Sequence, residues 1–154
     1  MRNFGEVDKL KKQSRIKLEE NPGNLSQELA QHLEEMVKAT LKGGYLSCPT
    51  AWRIAKEAKV SKIAVGQTAD KLGVRVTDCQ LGCFKVDKII HDKIAPKKID
   101  DSINATLATM EKNNNLTCEK VFELALRLKI KPMVIADIAN FRNMKIQCCQ
   151  LGCF

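Results

Sequence analysis

Cys79-Gln80-Leu81-Gly82-Cys83-Phe84 recurs letter for letter as Cys149-Gln150-Leu151-Gly152-Cys153-Phe154. The offset of 70 residues holds without a gap back to Leu46 and Leu116, and an internal repeat constrains architecture before any other signal does. Of the 39 pairs so aligned, 11 are identical: Leu46, Cys48, Ala55, Lys59, Ala69 and the six hexapeptide residues. All three cysteines of the first repeat are among them, so divergence between the copies has spared thiols more than their surroundings. A tandem duplication in 154 residues predicts two similar lobes.

Periodicity places the elements. Residues 1–24 form a basic arm, with a helix over roughly Glu6–Glu20 closed by the turn chemistry of Asn21-Pro22-Gly23-Asn24. The first repeat, 25–84, opens with a helix capped by Ser26, whose Leu29, Leu33, Met36, Val37 and Leu41 make one apolar stripe. Ser47 or Cys48 then caps a short helix carrying Pro49 in its first turn. Ser61 caps the next, Gly73 stops it, and the β-branched run Val74-Arg75-Val76-Thr77 reads as a strand. Residues 85–99 are a lysine-rich connector. The second repeat, 100–154, retraces the first: Asp101 or Ser102 starts a helix, Thr117 stands for Ser47, Pro132 opens the third helix, and Met144-Lys145-Ile146-Gln147 is the matching strand. The predicted fold class is mainly α with short β strands, built as two tandem repeats.

The stretch Ile54-Ala55-Lys56-Glu57-Ala58-Lys59-Val60-Ser61-Lys62-Ile63-Ala64-Val65 resembles the helix-turn-helix family, and with the strand after it is similar to the winged-helix variant. Ala55 stands where the two helices cross closely, Val60 follows the turn, and Val65 is the β-branched residue inside the second helix. In the second repeat the same roles fall to Ala125, Ile130 and Ile135. The resemblance implies two helix-turn-helix-like lobes and a nucleic-acid-binding or transcription-regulatory module. In that use the second helix presents its outward residues to the major groove. With Val65, Ala69 and Leu72 inward, the outward set is Lys62, Gly66, Gln67 and Asp70, and in the second repeat Pro132, Ala136, Asp137 and Asn140.

Gln67 and Asn140 suit adenine edges, whereas Asp70 and Asp137 would repel phosphates. Lys59 and Lys129 replace the glycine usual in the turn, and Lys71-Leu72 becomes Phe141-Arg142 in the second copy. The formal charge of +8 is concentrated outside the repeats. Residues 1–18 hold six basic against two acidic side chains, and residues 85–98 hold five against two. The expected phosphate contacts are therefore Lys9, Lys11, Lys12, Arg15 and Lys62 with Lys97 and Lys98.

The cysteines offer a second chemistry. Cys48, Cys79 and Cys83, and their copies Cys118, Cys149 and Cys153, are three thiols per repeat, a set for zinc or part of an iron–sulfur cluster with one further ligand. Their spacing is C-x3-C and no histidine is matched between repeats. Burial as small apolar side chains is the simpler expectation, with no cofactor. Seven cysteines, an odd number, point to thiols in a reducing cytoplasm. No run approaches a membrane span, and the charged N-terminal stretch lacks an apolar signal core, so secretion is not expected. P-loop, dinucleotide and nucleophile-elbow motifs are absent, so an enzyme is not expected. The alternatives to nucleic-acid binding are a cysteine-based metal, iron–sulfur or redox-sensing module and a protein-interaction adaptor.

Overall fold

Side-chain oxygens start the helices where the sequence places them. The computed structural model describes residues 5–14, 21–83 and 101–154; Arg15, Lys97 and Lys98 lie outside the described residues, as does the whole of the 85–99 connector. Seven helices hold about 60% of what is described, with two short strands beside them. They run α1 (Glu6–Gln13), α2 (Gln27–Thr40), β1 (Tyr45–Ser47), α3 (Cys48–Ala58), α4 (Lys62–Lys71), β2 (Arg75–Thr77), α5 (Asp101–Lys112), α6 (Cys118–Leu128) and α7 (Pro132–Phe141). The hydroxyls of Ser26, Ser47, Ser61 and Thr117 accept backbone N–H bonds at the starts of α2, α3, α4 and α6, each satisfying a donor the helix itself cannot. Pro132 occupies the first position of α7, where a missing N–H costs nothing.

The first helix of each pair is buried alike in the two copies. From Cys48 to Val60 and from Cys118 to Ile130 the pattern of buried, half-buried and exposed positions is identical residue for residue. Ala51, Ile54 and Ala55 in α3 face the core, as do Val121, Leu124 and Ala125 in α6. Both inter-helix turns pass through a lysine in the left-handed region, Lys59 at φ 55° and Lys129 at φ 55°. A Cβ in that conformation costs about 1–2 kcal/mol, part of which glycine returns through its freer unfolded chain. Lys59→Gly and Lys129→Gly should each raise the unfolding free energy by about 0.5–1 kcal/mol, read from the urea midpoint.

The strand after the helix pair finds an unexpected partner. β2 lies parallel to β1, with Tyr45 opposite Arg75, Leu46 opposite Val76 and Ser47 opposite Thr77. A parallel pair needs a long crossover, and α3 with α4 supplies it. Three residues are too few for periodicity to reveal β1. In the second repeat the expected strand 144–147 is reduced to a single parallel bridge, Thr117 to Gln147, held by the Gln147 N–H on the Leu116 carbonyl (2.9 Å) and the Cys118 N–H on the Gln147 carbonyl (3.0 Å).

The chain forms two compact units, and their boundary cuts through both hexapeptides. Unit 1 is Met1–Cys79 with Gln150–Phe154; unit 2 is Gln80–Cys149. Each unit is therefore one repeat completed by the hexapeptide of the other. The repeat boundaries at 84 and 99 follow the duplication and not this packing. In unit 1, α2 packs on both α3 and α4 and its Leu33 and Val37 are fully buried beside Leu46, Ile54 and Val65. Leu151 joins that unit at 1% exposure. In unit 2, α6 packs on α7 around Val121, Leu124, Ile135 and Ala139, and Leu81 is the counterpart at 1% exposure.

Candidate functional site

The helix expected to carry a contact surface is the second of the pair, α4 in unit 1, on its outward side. Here the chain itself covers that side. Among its ten residues only Lys71 is exposed. Gly66 is buried because the main chain of Leu151 runs across it: a Cβ at Gly66 would lie 1.9 Å from the Leu151 carbonyl oxygen and 2.8 Å from its carbon. No larger residue fits there while Leu151 stays in place. The expectation that Gly66 faces outward is therefore corrected, because Leu151 covers the position. Ala136 in α7, expected outward by the same register, is fully buried as well.

The neighbouring polar residues of α4 also have partners inside unit 1. Lys62 donates from Nζ to the Gln150 amide oxygen at 2.6 Å, and the same ammonium sits 3.7 Å from the centroid of the Trp52 ring. A cation over an indole face is attracted by the ring quadrupole. Lys62 is thus half-buried and tied to the second hexapeptide. At the other end of α4, Asp70 pairs with Lys12 of α1, and Arg75 of β2 holds Asp8 of α1 at 3.0 Å. Burial pushes the Asp70 carboxyl up from its ordinary range, outweighing the Lys12 ammonium that pulls it down.

α1 is consequently inverted relative to an ordinary amphipathic helix. Its charged Asp8 and Lys12 face unit 1, with Lys12 only 6% exposed, while Val7 and Leu10 face away at 59% and 64% exposure. The arm reads in sequence as a set of phosphate contacts. Of that set, Lys12 is buried in an ion pair, Lys9 pairs with Glu6 of its own helix at 2.7 Å, and Lys11 is exposed. Gln67 is half-buried and Asn140 is exposed.

The thiols are redistributed in the same way. All seven cysteines stand as thiols. Cys48, Cys79 and Cys153 fall in unit 1, whereas Cys83, Cys118 and Cys149 fall in unit 2 together with Cys148. A ligand set of Cys48, Cys79 and Cys83 would need residues from both units. Cys48, Cys79 and Cys118 are buried, and among the described residues no group of three or more His, Cys, Asp and Glu is placed to hold a metal ion.

Unit 2 carries the feature that sequence reasoning left aside. Leu126 of α6 is 82% exposed and Phe141 at the end of α7 is 75% exposed. Their repeat counterparts in unit 1 are Lys56 and Lys71, also exposed. Two equivalent surface positions thus carry lysine in unit 1 and large apolar side chains in unit 2. The signal is visible in the repeat alignment, where Phe141 stands against Lys71, but alignment alone does not tell a surface position from a core one. Among the described residues no helix is long and apolar enough to cross a membrane. No protein-family model, curated protein or solved structure matches the chain.

Proposed function

We propose that this chain is a non-catalytic protein-docking module, in which two helix-turn-helix-like lobes serve as a scaffold and unit 2 carries the contact residues. The observation that carries the reading is the exposure of Leu126 and Phe141 at positions where unit 1 keeps lysine. Large apolar side chains left in water are where protein partners gain most by burial. The covered outer side of α4 supports the same reading, since a helix already packed along that side has nothing to insert into a major groove. A winged-helix-like use for reading DNA requires Gly66 and Lys62 to be accessible, and Leu151 and Gln150 occupy them.

The test is position-specific capture. A photo-reactive phenylalanine analogue placed at position 141 in the producing cells should yield one discrete protein adduct, and the same analogue at position 71 should yield none. Adducts to nucleic acid, or equal labelling from both positions, would overturn the reading.

A further inference from the structure

Each unit holds a peptide that both repeats carry in identical form. Residues 150–154 complete unit 1 and the first hexapeptide, from Gln80 onward, belongs with unit 2. In unit 1 the seat is the start of α4, through the Lys62–Gln150 bond and the passage of Leu151 over Gly66. In unit 2 the seat involves the start of α7, where a side chain at Gly82 would meet Met133 at 3.7 Å. The residue leading into each hexapeptide, Asp78 or Cys148, is a non-glycine held in the left-handed region at φ 52° or 50°. Such a residue stores strain that an opened connection releases.

We propose that the second hexapeptide is an exchangeable plug, and that two copies of the chain pair by trading it. Residues 150–154 of one copy would seat on α4 of the other, remaking the Lys62–Gln150 bond and the Gly66–Leu151 approach in trans. Each interaction broken within one chain is remade between two, the condition under which segment exchange is a low-cost route to a dimer. What opposes it is the effective concentration of the chain's own plug, in the millimolar range for a short tether. The occupant is a second copy because the seat is fitted to Gln150 and Leu151, which every copy carries. This inference is independent of the docking role assigned to Leu126 and Phe141.

Complementation tests it. Gly66→Ala spoils the seat and leaves the plug intact; Leu151→Asp spoils the plug and leaves the seat intact. Each variant alone, in reducing buffer, should remain at the 17.3 kDa of one chain. Their mixture should give a species of twice that mass containing one chain of each kind by native mass spectrometry. Folded variants that stay separate on mixing would overturn the proposal. Should either variant not fold, isotope-labelled and unlabelled wild type are combined at high concentration, warmed to just below melting and cooled. Mixed-isotope dimers should form and dissolve on adding excess acetylated Cys-Gln-Leu-Gly-Cys-Phe peptide. Monomers only, or dimers that survive the peptide, would overturn it.

Discussion

Gly66→Ala should lower the stability of unit 1 by about 3 kcal/mol, although it adds only one methyl group to a helix. An exposed helical glycine would gain up to about 1 kcal/mol from the same change, so the sign itself is diagnostic. The added carbon would stand 1.9 Å from the Leu151 carbonyl oxygen, and that obstacle is main chain, which cannot rotate away as a side-chain tip can. Leu151 is 1% exposed and Gln150 is tied to Lys62, so the segment either shifts and gives up those interactions or leaves its seat. The repeat-equivalent position in unit 2 is Ala136, fully buried. Ala136→Gly should cost only the flexibility and small burial of one methyl, about 1 kcal/mol. Trp52, the single tryptophan, lies in unit 1 beneath Lys62, so its fluorescence during urea unfolding reads the affected unit directly. An unchanged or raised midpoint for Gly66→Ala would mean that Leu151 does not lie over Gly66.

Breaking the Lys12–Asp70 pair should cost more than replacing it. Lys12→Met removes the cation paired with the partly buried Asp70 carboxylate, and Asp70→Leu removes the carboxylate paired with a nearly buried ammonium. Either change should lower the unfolding free energy by about 2–3 kcal/mol, a loss below the usual 3–5 because α1 can lift off as a unit. The double variant Lys12→Met/Asp70→Leu should recover most of the loss, since apolar side chains of similar volume need no desolvation of charge. Urea midpoints of the three variants measure the coupling, and hydrogen exchange in α1 shows whether the helix has detached. The pH dependence follows from the direction of the Asp70 shift. Its carboxyl is raised in the folded protein, so the native state takes up a proton before the unfolded chain does. The resulting stabilisation is full below the ordinary carboxylate pKa and is lost as pH rises through the folded value. The stability of the wild type relative to Asp70→Asn should therefore fall over that window.

The local fold is written plainly in the residues, because capping and turn chemistry act within a few positions. Ser47, Ser61 and Thr117 cap the helices expected of them, and Pro132 begins α7. α2 begins after the Ser26 cap, and α4 runs between the Ser61 cap and the Gly73 stop. The parallel pairing of β1 with β2 is not legible: Tyr45–Ser47 has no period of its own, and its partner is 30 residues away. Nor is the exchange of hexapeptides. A repeated sequence implies two similar surroundings for the motif, but it does not say whether each copy serves its own repeat or the other. That ambiguity displaces the candidate site. Gly66 on the outward side of α4 is the one clue, since a glycine in a helix interior costs stability and is suited to a place where backbone passes close.

The candidate nucleic-acid residues follow from charge and helical register. Register identifies which residues share a side of a helix, not what covers that side. Charge alone assigns Lys12 to solvent or to a phosphate, because basic arms commonly are solvated, yet a complementary carboxylate 58 residues away takes it in. Phe141 is visible as a break in phase between the repeats, and its exposure emerges only with the end of α7 in place.

The crossing of the hexapeptides is the central claim, and a nuclear Overhauser measurement on isotope-labelled protein tests it most directly. The Gly66 α protons should show strong cross-peaks to Leu151, whose α carbon lies within about 3 Å of the point where a Gly66 side chain would begin. Cross-peaks from Gly66 to Leu81, the equivalent residue of its own repeat, would mean that each hexapeptide closes the repeat it belongs to, and the exchange would be wrong.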